Sequence, residues 1–352
     1  MVGIDISDRS IKIVEITDGN NSQLRTVCWS ALAAGLMRRG IVQDVEAVAR
    51  AVAAALEQCL PVPVAGRDVV ASIPETQSFV RVLDLPAMTE RETSEAVPWA
   101  VRQHLPFDPE RVYLDWQPLV STAGEATRQQ VMAGAAQRSV VDPLLAVLDA
   151  LGMNVVALEL EAQAVIRCLL PRDPVVARDI LGVLVVDLGG TSTNVVFFDQ
   201  GAMRFTASVQ LGGEDLTARL ARQLHMQPEM AATLKAAVGT VGVAQDAGAA
   251  ATLRAVTLEL VRGVERVVRE MTAAASPEQR VRAILLSGGS ANLPGIVDVF
   301  AEVFAGAPVQ LGNPWTNIPR NDDRRGVQLS AGDALYFTTA IGLALRRPEV
   351  LA

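Results

Sequence analysis

V-L-V-V-D-L-G-G-T-S-T-N-V-V-F-F (Val183 to Phe198) reads as an apolar strand carrying Asp187 near its end, a turn of small and hydroxylated residues, and a second apolar strand. A stretch of the same form stands at Val2 to Ile16, V-G-I-D-I-S-D-R-S-I-K-I-V-E-I, with Asp5 in the matching place. The parallel continues, because Gly19 in the turn Asp18-Gly19-Asn20 follows Asp5 at the interval of 14 residues at which Gly201 follows Asp187. A third strand comes next in each copy, at Leu24 to Trp29 and at Ala202 to Val209. Strong β formers punctuated by Gly, Asp and Asn predict a three-stranded meander at the start of each half. A duplication of this kind constrains the architecture before any single element is argued.

Helices are expected after each meander. Val45, Val48, Val52, Leu56 and Leu60 recur at three- and four-residue spacing and predict a helix over 44–60. Asp142 followed by Pro143 predicts a helix start, with Gly152 closing it. In the second half, Glu214 to Leu224 reads as helix, and Leu253, Val256, Leu260, Val264, Val267 and Met271 mark a longer one. The strand Ala283 to Leu286, the turn Gly288-Gly289, a helix opened by Pro294 and a terminal helix from Tyr336 to Leu345 complete it. Between them, 68–137 reads as an α+β insertion: strands Val69 to Ile73, Ser78 to Leu85, Val112 to Val120 and Gln129 to Ala135, and a helix opened by the capping box Thr89-Glu90-Arg91-Glu92. The run Arg320 to Arg325 reads as a solvated loop.

Composition excludes several classes. With 352 residues, half of them apolar, the chain is long enough for two or more domains. Its net charge of −8 offers no footprint for nucleic acid. Two histidines, His104 and His225, leave little for His-based metal sites or Ser-His-Asp hydrolysis. Cys28, Cys59 and Cys168 are scattered among apolar neighbours and read as small buried hydrophobes in a reducing compartment. Mean hydropathy is +0.28, yet charges interrupt every apolar stretch before a bilayer span is reached, and no basic segment precedes the Val2 to Ile6 strand. A cytoplasmic protein is expected.

Two hairpins at matched spacing suit a phosphate chain clamped between two domains. Turn amides and hydroxyls donate to phosphate oxygens, and the carboxylates of Asp5 and Asp187 hold hydrated Mg²⁺. Lys12 is placed to reach a phosphate as a point charge. Either turn alone is equally an ordinary tight hairpin turn, which Asp, Gly and Ser fill for conformational reasons; the duplication favours the phosphate reading. The third Gly-rich element, I-L-L-S-G-G-S-A-N-L-P-G (Ile284 to Gly295), sets two glycines between a strand and a helix, where backbone can approach a flat ligand closely.

In this order the three elements resemble the phosphate-1, phosphate-2 and adenosine motifs of the actin, Hsp70 and sugar-kinase superfamily. Within it the chain most resembles the PilM family, actin-like proteins of type IV pilus assembly related to the cell-division protein FtsA. The resemblance is carried by D-I-S-D-R-S-I-K (Asp5 to Lys12), V-A-S-I-P-E-T-Q-S-F-V-R-V-L-D-L-P (Val70 to Pro86), H-L-P-F (His104 to Phe107), L-E-L-E-A-Q-A (Leu158 to Ala164) and D-L-G-G-T-S-T-N (Asp187 to Asn194). L-G-G-E-D-L-T (Leu211 to Thr217), L-S-G-G-S-A (Leu286 to Ala291) and T-A-I-G-L-A-L-R (Thr339 to Arg346) extend it over nearly the whole chain.

The resemblance implies an α/β, actin-like fold: two RNase H-like domains facing across a nucleotide cleft, with an FtsA-like inserted α+β subdomain. The implied division is 1–67, 138–180 and a terminal helix 332–352 in the first domain, 68–137 as the insertion, 181–225 and 281–331 in the second, and 226–280 as a helical subdomain. It implies ATP contacts at Ser7, Ser10, Lys12, Gly189, Gly190, Thr191, Thr193, Asn194, Gly212, Gly213, Lys235, Gly288, Gly289 and Ser290, and Mg²⁺ at Asp5 and Asp187. Glu161 falls where relatives position attacking water, with an exposed helix carboxylate as the alternative. Two departures stand out: Ser7 and Asp8 follow where the family has D-I-G, so Asp8 is expected to weaken ATP binding unless its carboxylate points away. Lys235 is kept in Ala231-Ala232-Thr233-Leu234-Lys235 without its acidic partner. At most a slow Mg-dependent ATPase is expected.

The implied function is a cytoplasmic adaptor that binds the cytoplasmic N-terminal segment of a PilN-like inner-membrane protein, peripheral to that membrane, with other platform and motor proteins as further partners. Phe79, Leu85, Pro86, Trp99 and Phe107 are the candidate anchors; the alternative, the insertion's own core, suits Leu85 and Trp99 best. A sugar-kinase-like phosphotransferase and an FtsA-like filament are the competing readings. Only four residues follow Pro348, too few for an amphipathic membrane helix, so no direct membrane insertion is expected, and homo-oligomerisation is left open.

Overall fold

Strands β1 (Val2–Ile6), β2 (Ser10–Ile16) and β3 (Leu24–Ala31) form the first meander of the computed structural model, which describes residues 1–17, 22–119, 127–242, 246–272, 280–318, 327 and 329–347. The two-residue strands β4 (Met37–Arg38) and β5 (Ile41–Val42) make a small hairpin, and α1 (Val45–Glu57) follows, capped by the Asp44 carboxylate. Then come β6 (Asp68–Ile73), β7 (Ser78–Pro86), α2 (Glu90–Arg102), β8 (Val112–Pro118), β9 (Arg128–Gln137), α3 (Arg138–Ala150), β10 (Asn154–Leu160), α4 (Glu161–Leu169) and α5 (Pro174–Arg178). The second half runs β11 (Val183–Leu188), β12 (Thr193–Asp199), β13 (Ala202–Val209), α6 (Gly213–Gln223), α7 (Pro228–Val238), α8 (Ala247–Thr272), β14 (Ala283–Ser287), α9 (Ile296–Val303), β15 (Val309–Leu311), α10 (Ala331–Tyr336) and α11 (Thr338–Ala344).

The duplication is visible in the sheets. One has the order β3-β2-β1-β6-β10 and the other β13-β12-β11-β14-β15, each an antiparallel meander whose first strand pairs in parallel with a later strand, which pairs in parallel with the outermost one. Asp5 opposes Lys12 across the first hairpin, and Asp187 opposes Asn194 across the second. β1, β11 and β12 are apolar and buried on both faces, as strands covered on two sides must be.

The structure shifts several sequence expectations. β6 pairs with β1 in the first large sheet, so the separate sheet of the insertion, β7-β9-β8, begins at Ser78 rather than at Asp68. Asp142-Pro143 does not open a helix: β9 runs directly into α3 at Arg138, and the Asp142 carboxylate accepts from the Tyr113 hydroxyl at 2.9 Å. Gly288-Gly289 leads into a short 3₁₀ turn, and α9 starts at Ile296 behind Gly295 in the left-handed region. The terminal helix is two helices, α10 and α11, broken at Phe337. Cys28 and Cys59 are buried, as read, but they are paired in a disulfide joining β3 to the segment after α1; only Cys168 keeps a free thiol. Asp18-Gly19-Asn20 and Arg320 to Arg325 lie outside the described residues.

Four packing features position the site. Val14, Ile16 and Leu24 of the first sheet share one apolar cluster with Val185, Val196 and Phe198 of the second, and this cluster floors the gap between halves. α11 is wedged between β1 and α4 by close backbone approach: a Cβ on Gly342 would lie 1.9 Å from the Ala164 carbonyl oxygen. Glu159 is buried and accepts from both Arg167 and Arg346, so the end of α11 is also tied by charge. The insertion has its own small core of Leu83, Val97, Val101, Val131 and Ala133.

Candidate functional site

The two hairpin turns meet across one cleft of about 420 Å³, a volume in the range of small-molecule sites. The first hairpin supplies Asp5, Ser7, Ser10 and Lys12; the start of α4 supplies Glu161; the second hairpin supplies Asp187, Gly189, Gly190, Thr191 and Asn194. Gly213, Lys235, Gly288, Gly289 and Ser290 line the far side. Thr193 and Gly212, expected among them, do not line it. The Thr193 hydroxyl is buried and donates to the Leu211 carbonyl, and Gly212 is needed because a Cβ there would meet the Gly190 carbonyl oxygen at 2.3 Å.

Asp5 is buried and fully engaged. Its Oδ2 accepts from Lys12 Nζ at 2.9 Å and its Oδ1 from the Ser72 hydroxyl at 3.0 Å. Burial works against the Lys12 charge, but the Asp5 carboxylate beside it, with Asp187 and Glu161, holds the ammonium above its ordinary value. Asp187 has no such close cation. Removal from water pushes its carboxyl up to about 6, with Asp5 adding to the rise and Lys12 opposing it.

Glu161 accepts from Asn194 Nδ2 at 2.7 Å. Burial, then the negative charges of Asp5, Asp187 and Glu75, raise it well above the ordinary carboxylate range. It is therefore not the exposed helix carboxylate of the alternative reading. Glu75 was not expected here: it stands just beyond β6, lines the cleft, is itself raised by burial, and leaves Oε2 without a partner. The signal that could have found it is its place at the carboxyl end of a parallel strand, where open α/β sheets put ligands.

The turn between the first two strands is pinned from behind. Ser7 donates to the Ser10 carbonyl at 3.1 Å through its hydroxyl and at 2.9 Å through its amide. The Asp8 carboxylate is engaged by backbone, accepting from the N–H groups of Arg39 at 2.9 Å and Gly40 at 2.7 Å, and all three residues line the cleft. Arg39 and Gly40 both have positive φ, so the carboxylate satisfies a left-handed turn. On the other wall, Ser290 donates to the Gly189 carbonyl and Lys235 to the Gly213 carbonyl at 2.8 Å, knitting the second turn to the di-glycine turn and to α7. The Tyr336 ring lies over Gly289, where a Cβ would fall 2.4 Å from it.

The donor set fits hydrated Mg²⁺. Among the described residues no three His, Cys, Asp or Glu side chains form a metal cage. Mg²⁺ needs none, since it keeps several waters and takes one or two carboxylates with phosphate oxygens. Asp187 and Asp5 line the cleft, Asp5 with its oxygens already accepting from Lys12 and Ser72, and buried Asn194 leaves its Oδ1 unpartnered there.

The candidate anchors separate into two groups. Phe79 and Leu85 pack on the insertion core, Phe107 is half-buried, and Pro86 is exposed. Trp99 is 74% exposed on α2, so its assignment to the core is corrected. Val97 and Val101 turn inward and Trp99, two residues from each, falls on the opposite face.

A family model for type IV pilus assembly protein PilM matches residues 3–348. The chain belongs to this family. The cell division protein FtsA of Pseudomonas aeruginosa is 25% identical over 91% of this chain and 86% of its own length. FtsA of Streptococcus pneumoniae is 23% identical over 89% and 75%. Among solved structures, a PilM-PilN type IV pilus biogenesis complex superposes with a TM-score of 0.81 at 25% identity, covering 99% of this chain and 98% of that one. The ethanolamine utilization protein EutJ of Carboxydothermus hydrogenoformans follows with a TM-score of 0.55 at 18% identity over 98% of this chain and 88% of that one. MreB5 of Spiroplasma citri bound to AMPPNP gives 0.52 at 13% over 97% and 93%. The fold of this family member is actin-like, and no helix of the described residues is long and apolar enough to cross a membrane.

Proposed function

We propose that this chain is a nucleotide-binding adaptor of type IV pilus assembly, with Mg²⁺ and ATP held in the cleft and the cytoplasmic N-terminal segment of a PilN-like inner-membrane protein held at the insertion. The observation that carries the nucleotide half is the convergence of Asp5, Lys12, Asp187 and Glu161 between two glycine- and serine-rich turns. Membership of the PilM family, and the likeness to a PilM-PilN complex, support the partner half. Bound Mg²⁺ would neutralise phosphate charge; Asp187 and Asp5 are the residues that would hold it through oxygen and water. Glu161, tied to Asn194 and with its carboxyl held well above the ordinary range by burial and the neighbouring carboxylates, is the residue in this reading that would face the attacking water. Attachment to the membrane surface follows from the partner in this reading.

Thermal unfolding with and without Mg-ATP tests the nucleotide half. Ligand at about 100 times its Kd stabilises the fold by roughly 2.7 kcal/mol, and Asp187→Ala should abolish that gain. No gain in the wild type would leave a nucleotide-independent scaffold. For the partner half, Trp99→Ala should weaken binding of the PilN-like peptide by about 1–2 kcal/mol or more. Because Trp99 is exposed, the same change should leave unfolding stability within about 0.5 kcal/mol.

A further inference from the structure

Arg9 stands at the tip of the first turn, and its side chain crosses the cleft to Glu214 at the start of α6. Arg9 Nε lies 2.8 Å from Oε1, and Nη2 donates to Oε2 at 3.1 Å, a two-point fork between residues 205 apart in the chain. The backbone aims it there. The Leu32 amide donates to the Arg9 carbonyl at 2.9 Å, while the neighbouring Asp8 clamps Arg39 and Gly40. At the other end the Glu214 carboxylate lies over the second turn, 3.8 Å from where a Cβ on Gly190 would stand. The ion pair therefore spans the gap between the two hairpins, and both of its members line the cleft.

The side chains are 51% and 42% exposed, so the pair adds little to the stability of the fold and exchanges partners at small cost. A phosphate group offers the guanidinium the same planar fork with more charge than a carboxylate. Glu214 in turn sets a negative charge against the place assigned to phosphate.

We propose that Arg9 is a switching phosphate ligand: in the nucleotide-free cleft Glu214 holds its guanidinium across the mouth, and an arriving nucleotide phosphate takes it over and frees the carboxylate. This rests on the reading of the cleft as a Mg-nucleotide site. It makes the two halves of one ion pair act in opposite directions, Arg9 favouring nucleotide and Glu214 opposing it. A tie that merely closes the cleft would give both residues the same sign.

Calorimetric titration of Mg-ATP into wild type, Arg9→Ala, Glu214→Gln and the double variant tests this, with circular dichroism melts confirming that each variant is folded. Loss of the Arg9 contact should weaken Mg-ATP by about tenfold or more. Glu214→Gln should tighten it by about threefold or more, since one opposing charge and one competitor for Arg9 go together. The double variant should fall between Arg9→Ala and wild type, keeping only the part of the gain that comes from the removed charge. Binding by wild type with both single variants weakened, or neither changed, overturns the switch and leaves the nucleotide reading standing. Failure of wild type and Glu214→Gln alike to bind overturns both.

Discussion

Asp187 is one of three cleft carboxyls, with Glu161 and Glu75, that burial raises. Its carboxyl titrates at about 6 in the folded chain against 3.8 ordinarily, so the folded state takes up a proton at higher pH than the unfolded chain does. Stability from this group is greatest below about 3.8 and falls as pH rises to about 6, after which the cost of burying the charge is constant. Asp187→Asn should therefore stabilise the ligand-free protein at pH 7 by about 1–3 kcal/mol and change little at pH 4. Urea unfolding of both proteins at several pH values measures the difference; a gain equal at both ends would refute the assignment. At this scale the sequence was informative where spacing sufficed: Asp5, Lys12, Glu161 and Asp187 were legible from the duplicated hairpins and the family pattern. The engagement of the Asp8 carboxylate was not, because it depends on amides at Arg39 and Gly40, 31 and 32 residues on. Nor was the approach of Arg9 to Glu214 or the pairing of Cys28 with Cys59, contacts that only the folded chain creates.

At the scale of elements, α11 is the most constrained. Gly342 and Gly3 let its backbone touch α4 and β1 directly, with would-be Cβ atoms at 1.9 Å from the Ala164 oxygen and 2.2 Å from the Ala340 oxygen. Gly342→Ala sets a methyl against backbone that cannot rotate away, and should cost about 3 kcal/mol or more in equilibrium unfolding. A loss below about 0.5 kcal/mol would mean that α11 shifts freely. Apolar periodicity located α1 and α8 to within a few residues, because each buries one stripe. The capping and proline signals misplaced the starts of α3 and α9: α3 begins at Arg138 directly from β9, before Pro143, and α9 begins behind Gly295, after Pro294. The outward face of Trp99 was carried by its offset from Val97 and Val101, a signal overridden by the general preference of Trp for interiors.

Across the whole molecule, stability is unevenly shared. The cluster joining Val14 and Ile16 to Val185 and Val196 binds both large sheets together and takes in Met132 of β9, whereas the insertion's own core is a cluster of five buried residues. Amide hydrogen exchange should find β7, β8 and β9 opening at lower free energy than β11 and β12. Equal protection in all five would show that the insertion unfolds only with the rest. The meander that opens each half was legible because a duplication repeats its evidence; that the halves face one another across a cleft came from the family resemblance, since no local pattern encodes it.

The break at Phe337 has a mechanical consequence. On one side of it α11 is bolted to the first sheet through Gly3, and on the other the Tyr336 ring rests on the di-glycine turn of the second. One short segment thus touches both jaws, with a single non-helical joint between its grips. A change in the angle of the jaws would pull on that joint as well as on the apolar cluster between the sheets, so the C-terminal segment couples the di-glycine turn to the first sheet.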